Sequence, residues 1–157
     1  MKKIIHKNQV VITTLAVLIA IAGYVSYDRK SGGAEETKTV ANMKEDAKLM
    51  FENGRYKNAL NIAYYSIFHA IRSVNTLKGF DSSKHSGVIA FFNQSYVKEG
   101  VFDKELSKII KQAYDYREKA DYLDFYIASS EEAGKQIARA EVFKEAIKTY
   151  LVEQDIL

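Results

Sequence analysis

The sequence predicts an all-α protein: an antiparallel bundle of four to five helices, preceded by one transmembrane helix at the amino end. The 157 residues contain no proline and only eight glycines, so few positions interrupt a helix. Hydrophobic residues form 47% of the chain, which suffices for one globular core. Along most of the sequence they recur at three- and four-residue steps, as on the buried face of a helix.

The amino-terminal segment predicts membrane attachment. Residues 10–27 (VVITTLAVLIAIAGYVSY) are eighteen residues without a charge, and a helix of that length extends roughly 27 Å, close to the thickness of a thin bilayer. Tyr24 and Tyr27 lie where interfacial aromatic residues are found. We therefore predict a single-pass membrane anchor in residues 1–30, with the side of the membrane left open. A cleaved signal peptide ending near residues 20–22 is the alternative.

The rest of the chain predicts a short tether and a helical domain. Residues 31–39 are polar and contain a glycine pair, which predicts a flexible connection. Residues 40–157 predict the bundle. The apolar periodicity predicts helices over about 35–53, 57–78, 86–98, 103–125 and 129–153.

Local signals fix several helix ends. Gly54 is expected to take a left-handed cap conformation after the first helix. Asp103 is a candidate cap for the fourth helix. Ser129 and Glu132 have the spacing of a capping box at the start of the last helix.

Composition excludes several kinds of site. The absence of cysteine excludes disulfides, thiolate metal sites and a cysteine nucleophile. The three histidines, at positions 6, 69 and 85, are too scattered to predict a metal site, and we expect neither metal nor cofactor. A net charge of +3, from 23 basic and 20 acidic residues, gives no strongly basic region of the kind typical of generic nucleic-acid binding.

One stretch stands out as a candidate site: YDYREKADYLDFY, residues 114–126. On a helix, Arg117 and Asp121 are four residues apart and share one face, with Tyr122 close by. Such a pair is commonly a surface ion pair contributing about 0.3–0.5 kcal/mol. The alternative is a guanidinium held by a carboxylate and aromatic rings to bind a ligand.

Three blocks of the bundle resemble the HEPN domain family of prokaryotic helical proteins. They are FENGRYKNALNIAYYSIFHAIRS, KHSGVIAFFNQSYVKEG and YDYREKADY, in the order and spacing of the family. The resemblance extends from about Met43 to Tyr150. It implies a helical bundle that forms a homodimer, commonly with the arginine-bearing helices facing across the twofold axis.

The resemblance also implies a chemistry. Many HEPN members are metal-independent endoribonucleases, often toxins paired with a nucleotidyltransferase antitoxin, and their motif is an arginine followed four to six residues later by a histidine. A guanidinium binds the scissile phosphate, and an imidazole transfers the proton of the 2′-hydroxyl group. Here Arg117 matches the motif arginine, but Asp121 and Tyr122 stand where the histidine is expected. Whether the chain is an enzyme is therefore left open.

Other residues are candidates for the missing role. Lys84 and His85, at a helix start, are candidates for phosphate binding, and His85 is also a candidate for catalysis. For His85, a hydrogen bond that fixes the loop is the equal alternative. Tyr64 and Tyr65 are candidate ligand-binding residues, although core packing is the simpler interpretation. His69 is expected to be a core or interface residue.

Three functions remain as hypotheses. The first is a membrane-tethered binding module for RNA, a nucleotide or a partner protein, in a toxin–antitoxin or stress-response type of system. The second is an endoribonuclease toxin that uses Arg117 with His85 or Tyr122. The third is an adapter in a membrane or sporulation assembly, because residues 1–27 resemble the anchor of stage III sporulation AH-like proteins of spore-forming Firmicutes.

Overall fold

A computed structural model describes residues 42–123 and 125–156, together with Gly32 and Val40. These residues form five α-helices, which confirms the predicted all-α bundle. Two short helical segments of other geometry continue α2 and α3. The helices are α1 (residues 42–52), α2 (Tyr56–Asn75), α3 (His85–Phe92), α4 (Lys104–Tyr122) and α5 (Ser130–Glu153).

The second helix is the centre of the bundle, as its apolar sequence predicts. It packs against α3, α4 and α5. Twelve of its twenty residues are buried, because apolar or small side chains occupy nearly every position that faces a neighbour. The fully buried residues Leu60, Ile71 and Val74 lie along its whole length. Every other described helix after α1 is thus placed by its contact with α2.

A left-handed glycine joins the first two helices, as predicted. Gly54 has φ 70°, a conformation that residues with a Cβ rarely adopt. The N–H of Arg55 donates to the carbonyl of Met50 at 2.8 Å, which closes the end of α1. The chain therefore reverses within a few residues, and α2 begins at Tyr56.

The third helix is shorter than predicted and continues in a wider form. Residues Asn93–Val97 form a π-helical segment, and the N–H of Lys98 bonds the carbonyl of Asn93 at 2.9 Å, five residues back. Tyr96 is buried within this segment, and its hydroxyl donates to the carbonyl of Val74 at 2.7 Å. The segment is thereby fixed against α2.

Side-chain caps begin the last two helices. The carboxylate of Asp103 accepts from the N–H of Glu105 at 2.7 Å, as predicted for the start of α4. At α5 the capping box is confirmed in both directions. The N–H of Glu132 donates to Ser129 Oγ at 3.1 Å, and the N–H of Ser129 donates to Glu132 Oε2 at 2.9 Å.

The predicted end of α4 is wrong by three residues. The helix ends at Tyr122, and Leu123 has extended geometry, whereas periodicity predicted helix to residue 125. Phe125 and Ile127 are 96% and 88% exposed, so these apolar residues after Tyr122 are not part of a buried helix face. Tyr126 is instead half-buried against the small cluster around Leu60 and Ala128.

The prediction of a transmembrane helix, and with it of membrane localisation, is corrected. Within residues 42–123 and 125–156, no helix is both long enough and apolar enough to cross a membrane. The longest, α5, has 24 residues but carries charged side chains such as Lys135 and Lys144 along its length. The segment 10–27, on which the prediction rests, lies outside the described residues.

The capping box generates a stability prediction. Ser129→Ala removes the acceptor for the N–H of Glu132 and should lower the free energy of unfolding by about 1 kcal/mol. Chemical denaturation followed by circular dichroism measures this change. The matched control is Ser130→Ala, one residue along at the exposed first position of α5, which should change stability by less than about 0.5 kcal/mol. Equal effects of the two substitutions would contradict the capping role.

Candidate functional site around Arg117

Arg117 lies in the last third of α4, and its side chain is only 17% exposed. As the spacing predicts, its nearest acid is Asp121, with 2.8 Å between Arg117 Nε and Asp121 Oδ2. The buried Nε–H does not point at that oxygen, so the contact is an ion pair rather than a hydrogen bond. Arg117 Nη1 donates to Glu118 Oε1 at 2.9 Å. The guanidinium is therefore held by two carboxylates of its own helix.

Asp121 also connects α4 to α2. Its Oδ1 atom accepts a hydrogen bond from Asn61 Nδ2 at 3.0 Å. The carboxylate of Asp121 thus contacts the side-chain amide of Asn61 on α2 and the guanidinium of Arg117 on α4. This contact gives Asp121 a structural role in orienting Arg117, because both of its oxygens are engaged.

Two aromatic rings flank the guanidinium. Arg117 Cζ lies 5.9 Å from the centre of the Tyr64 ring and 5.7 Å from that of Tyr122, within the range of cation–π attraction. Tyr64 is 1% exposed and Tyr122 is 68% exposed. Arg117 therefore contacts the core on one side and an exposed phenol on the other. Tyr114 packs its ring edge against Tyr64, 6.1 Å between centroids.

His85, the first residue of α3, joins the same group of side chains. The hydroxyl of Tyr64 lies 2.9 Å from His85 Nδ1, a hydrogen bond. The imidazole packs on Phe68 with 4.1 Å between ring centroids, and it is nearly perpendicular to the Tyr65 ring, with 6.0 Å between centroids. Tyr64 is thus shared: its ring contacts Arg117 and its hydroxyl contacts His85.

The sequence KHSG explains how His85 reaches this position. Lys84 is the exposed N-cap of α3, and its N–H donates to Ser82 Oγ at 3.1 Å. Gly87 allows the loop to lie close to the helix, since a Cβ there would be only 2.9 Å from Ser82 Oγ. Asn75 Nδ2 donates to the carbonyl of Val88 at 3.0 Å and fixes α3 to α2. The imidazole is therefore directed toward α2 by the backbone around it.

The surroundings of His85 and Tyr64 shift the pKa values of the two side chains in opposite directions. Burial lowers the pKa of His85, and the positive charge of Arg117 and the nearby His69 lower it further. Burial raises the pKa of the Tyr64 hydroxyl well above its usual value. At pH 7 the imidazole of His85 is therefore neutral and the phenol of Tyr64 is protonated.

The charge of Arg117 is secure. Burial of its side chain acts to lower the pKa of the guanidinium, but the carboxylate of Asp121 and the surrounding phenols outweigh burial and raise it. The site therefore combines a permanent cation with a neutral imidazole, each of which contacts Tyr64. A guanidinium is suited to binding a phosphate.

The structure groups most of the residues singled out in the sequence. Arg117, Asp121, Tyr122, Tyr64 and His85 form one connected set, while Tyr65 contacts His85 at its border and Lys84 extends from the adjoining helix start. The sequence analysis missed Asn61 and Glu118. Asn61 precedes Tyr64 by three residues, so its place on the same face of α2 was available as a signal. The described residues contain no cluster of three or more metal-ligating side chains.

The fold and the site define a class of protein. It is an all-α bundle in which α4 carries a half-buried arginine close to a tyrosine of α2. The HEPN domain model matches residues 42–150, and the chain belongs to this family. A UPF0332 protein of Thermotoga maritima is 38% identical over 104 residues, covering 66% of this chain and 79% of that protein. The Methanocaldococcus jannaschii protein named "Putative toxin MJ0605" is 39% identical over 107 residues, 68% and 79% of the two chains.

A third relative carries a similar name. "Putative toxin MJ0142" of Methanocaldococcus jannaschii is 31% identical over 113 residues, which are 72% of this chain and 77% of that protein. The HEPN resemblance of the sequence is thus confirmed. The resemblance of residues 1–27 to sporulation anchors is not confirmed, and the boundaries 1–30, 31–39 and 40–157 stay predictions, since the family match begins at residue 42.

The coupling between Arg117 and His85 generates a pH prediction. Arg117→Gln removes a positive charge that disfavours the imidazolium, so the pKa of His85 should rise toward its ordinary value. Titration of the imidazole signals by NMR, with His85→Asn used for assignment, measures the change. Lys111→Gln is the control, because it removes a charge from the same helix at an exposed site paired with Asp115. A pKa that stays the same or falls in Arg117→Gln would show that the two side chains are not coupled.

Proposed function

We propose that this chain is a toxin-like HEPN domain that binds RNA, with Arg117 holding a phosphate of the RNA backbone. The observation that carries the proposal is the half-buried guanidinium of Arg117, fixed by Asp121 and flanked by the rings of Tyr64 and Tyr122. A cation held in one orientation loses little entropy on binding an oxyanion, so its charge-assisted hydrogen bonds are strong. The names of two relatives, which are called putative toxins, support the toxin-like part of the proposal.

Access for the phosphate would come from the Glu118 side of Arg117. The side chain of Glu118 is 39% exposed and its Oε1 accepts a hydrogen bond from Arg117 Nη1, so a phosphate can replace it there. Among the described residues Arg117 Nη2 donates no hydrogen bond, whereas Nη1 donates to Glu118. Asp121 would remain in place, because Asn61 and Arg117 hold both of its oxygens. Phosphate binding then requires one surface side chain to move and leaves the α2–α4 connection intact.

Exposed apolar side chains beside the site favour RNA over a free nucleotide. Tyr122, Leu123, Phe125 and Ile127 are 68%, 53%, 96% and 88% exposed, all within six residues of the end of α4. We call these four side chains the exposed 122–127 segment. Unpaired bases stack on aromatic rings such as those of Tyr122 and Phe125, while the backbone phosphates contact a nearby cation. A mononucleotide would use only one of these rings.

The partners proposed for the domain follow its family membership. We propose a homodimer, with a nucleotidyltransferase as the protein that restrains the toxin. Both proposals rest on the family and on the toxin names of relatives, and sedimentation of the purified chain with and without the neighbouring gene product tests them.

Loss of Arg117 is expected to abolish most RNA binding. Arg117→Ala should weaken the affinity for single-stranded RNA at least tenfold, because charge-assisted hydrogen bonds contribute about 1.5–3 kcal/mol each. Glu118→Gln should strengthen it by removing the competing carboxylate. Fluorescence anisotropy at fixed salt measures both affinities.

Lys111→Ala is the matched control for charge, since it removes an exposed cation of α4 that is paired with Asp115. Its effect should stay below about threefold. If Arg117→Ala binds RNA as tightly as the unaltered protein while keeping its helical circular dichroism, Arg117 is not the phosphate-binding residue. Binding of mononucleotides but not of RNA would instead indicate a nucleotide site.

Stacking on the exposed 122–127 segment gives a separate prediction. Phe125→Ala should weaken binding of single-stranded RNA about tenfold, because stacking of one base contributes about 1–3 kcal/mol. Binding of an RNA duplex, whose bases are already stacked, should change little. Leu49→Ala, which removes a 52% exposed side chain of α1, is the control. Equal affinities of the Phe125→Ala and Leu49→Ala proteins for single strands would exclude stacking at this position.

A further inference from the structure

A groove lies near the start of α4, at the opposite end of that helix from Arg117. Val101 and Phe102, which precede α4, line it together with residues of the carboxyl-terminal half of α5, and its volume is about 370 Å³. Arg117 lies 13 positions after Lys104, the first residue of α4, which is roughly 20 Å along the helix. The groove is therefore separate from the site around Arg117.

Two aromatic rings give the groove an apolar surface. Phe102 is buried and Tyr150 is half-buried, and their rings pack against each other with 5.1 Å between centroids and 64° between planes. Tyr150 also packs edge-on against Tyr96 in the core, with 6.0 Å between centroids. Val101 is 44% exposed beside them. A ligand in the groove therefore contacts rings whose positions are fixed by the core.

Two carboxylates give the groove its charge. Glu145 and Glu153 line it, and both side chains are exposed. Among the described residues neither carboxylate forms an ion pair or a side-chain hydrogen bond, and no residue that lines the groove is basic. The last turn of α5 also has no basic residue, although the helix dipole places partial negative charge there. The groove thus has negative charge that its own lining does not balance.

The polar groups of the groove have a regular spacing. Glu145, Thr149 and Glu153 follow one another at four-residue intervals along α5. Four residues of α-helix rise roughly 6 Å, so the two glutamates are roughly 12 Å apart along the axis with a hydroxyl between them. All three side chains can accept hydrogen bonds. An extended alkyl chain with an ammonium nitrogen at each of these intervals would donate to all three.

We propose that this groove binds a linear aliphatic polyamine. The terminal ammonium groups bind Glu145 and Glu153, the central nitrogen donates to Thr149, and the alkyl spacers lie on the rings of Phe102 and Tyr150. Ammonium–carboxylate hydrogen bonds are charge-assisted, and an ammonium near an aromatic face is attracted to it. The proposal is independent of RNA binding, because it uses no residue of the site around Arg117.

The size of the groove favours a small ligand over a protein partner. Its volume of about 370 Å³ is within the range of small-molecule sites, roughly 300–1,000 Å³. A stable protein interface of standard size instead takes about 800 Å² from each partner, far more than a groove lined by a few side chains offers. Charge selects among small ligands, because two carboxylates favour a molecule with two or more positive charges.

The test is an NMR titration of the 15N-labelled full chain at fixed low salt, without RNA. The probes are spermidine, 1,4-diaminobutane, which is too short to join both glutamates, and 1,8-diaminooctane, which has the length of spermidine without its central nitrogen. Spermidine should bind about tenfold more tightly than 1,4-diaminobutane, because only spermidine reaches both carboxylates. The amide signals of Val101 and Thr149 should be among those that shift most.

Variants test each contact. Glu145→Gln and Glu153→Gln should each weaken spermidine binding about threefold, since each removes one charge-assisted hydrogen bond at an exposed position. Thr149→Val should reduce the affinity for spermidine to that for 1,8-diaminooctane. The matched control is Glu131→Gln, which makes the same change at an exposed position in the first turn of α5, outside the groove, and should leave the affinity unchanged.

Three results would overturn the proposal. Equal weakening by Glu131→Gln and Glu153→Gln would show general attraction of polyamines to acidic side chains. Equal affinities for spermidine and 1,4-diaminobutane would exclude a ligand that joins the two glutamates. Tighter binding of trilysine than of spermidine at the same amide signals would assign the groove to a basic peptide. Arg117→Ala should bind spermidine normally, so the proposed RNA binding can fail without affecting this result.

Discussion

The carboxylate of Asp121 connects the two helices on which the site depends. It accepts a hydrogen bond from Asn61 on α2 and pairs with Arg117 on α4, so the guanidinium is held by a carboxylate that is itself bonded to α2. Tyr64 completes this arrangement from the core side, because it is buried and cannot move independently of α2. The orientation of Arg117 is therefore a property of how α2 and α4 pack, and the same packing determines the distance from Arg117 to His85 through Tyr64.

Three helices each contribute a different chemical group to the site. α4 contributes the permanent charge, α2 contributes buried aromatic rings, and α3 contributes a neutral imidazole at its first residue. A cation and an imidazole close together would ordinarily repel once the imidazole is protonated, and here that repulsion helps to keep His85 neutral.

Helix caps and side-chain pairs that depend on residues close together in the sequence were predictable from the sequence. The left-handed Gly54, the Asp103 cap, the capping box at Ser129 and the Arg117–Asp121 pair all involve residues within about one helical turn. The end of α4 was not predictable in this way, because Leu123 and Phe125 are apolar residues that would normally extend a helix packed on the core, and both are in fact exposed. The meeting of Tyr64 and His85 also lay beyond the sequence, since it depends on the path of the loop before α3 and on the hydrogen bond from Asn75 to Val88.

The π-helical segment Asn93–Val97 has a consequence for how this family can vary in length. Each widened turn contains one residue more than the α-helical path over the same distance, so it is equivalent to a single-residue insertion absorbed without a loop. Deleting one residue there would restore ordinary helical spacing, and the residues within the segment, Tyr96 among them, would change the direction in which they face. Tyr96 would then leave the carbonyl of Val74, and Phe92 would lose a ring that packs against it. Insertions and deletions at this point are thus coupled to the composition of the core, unlike those in a surface loop.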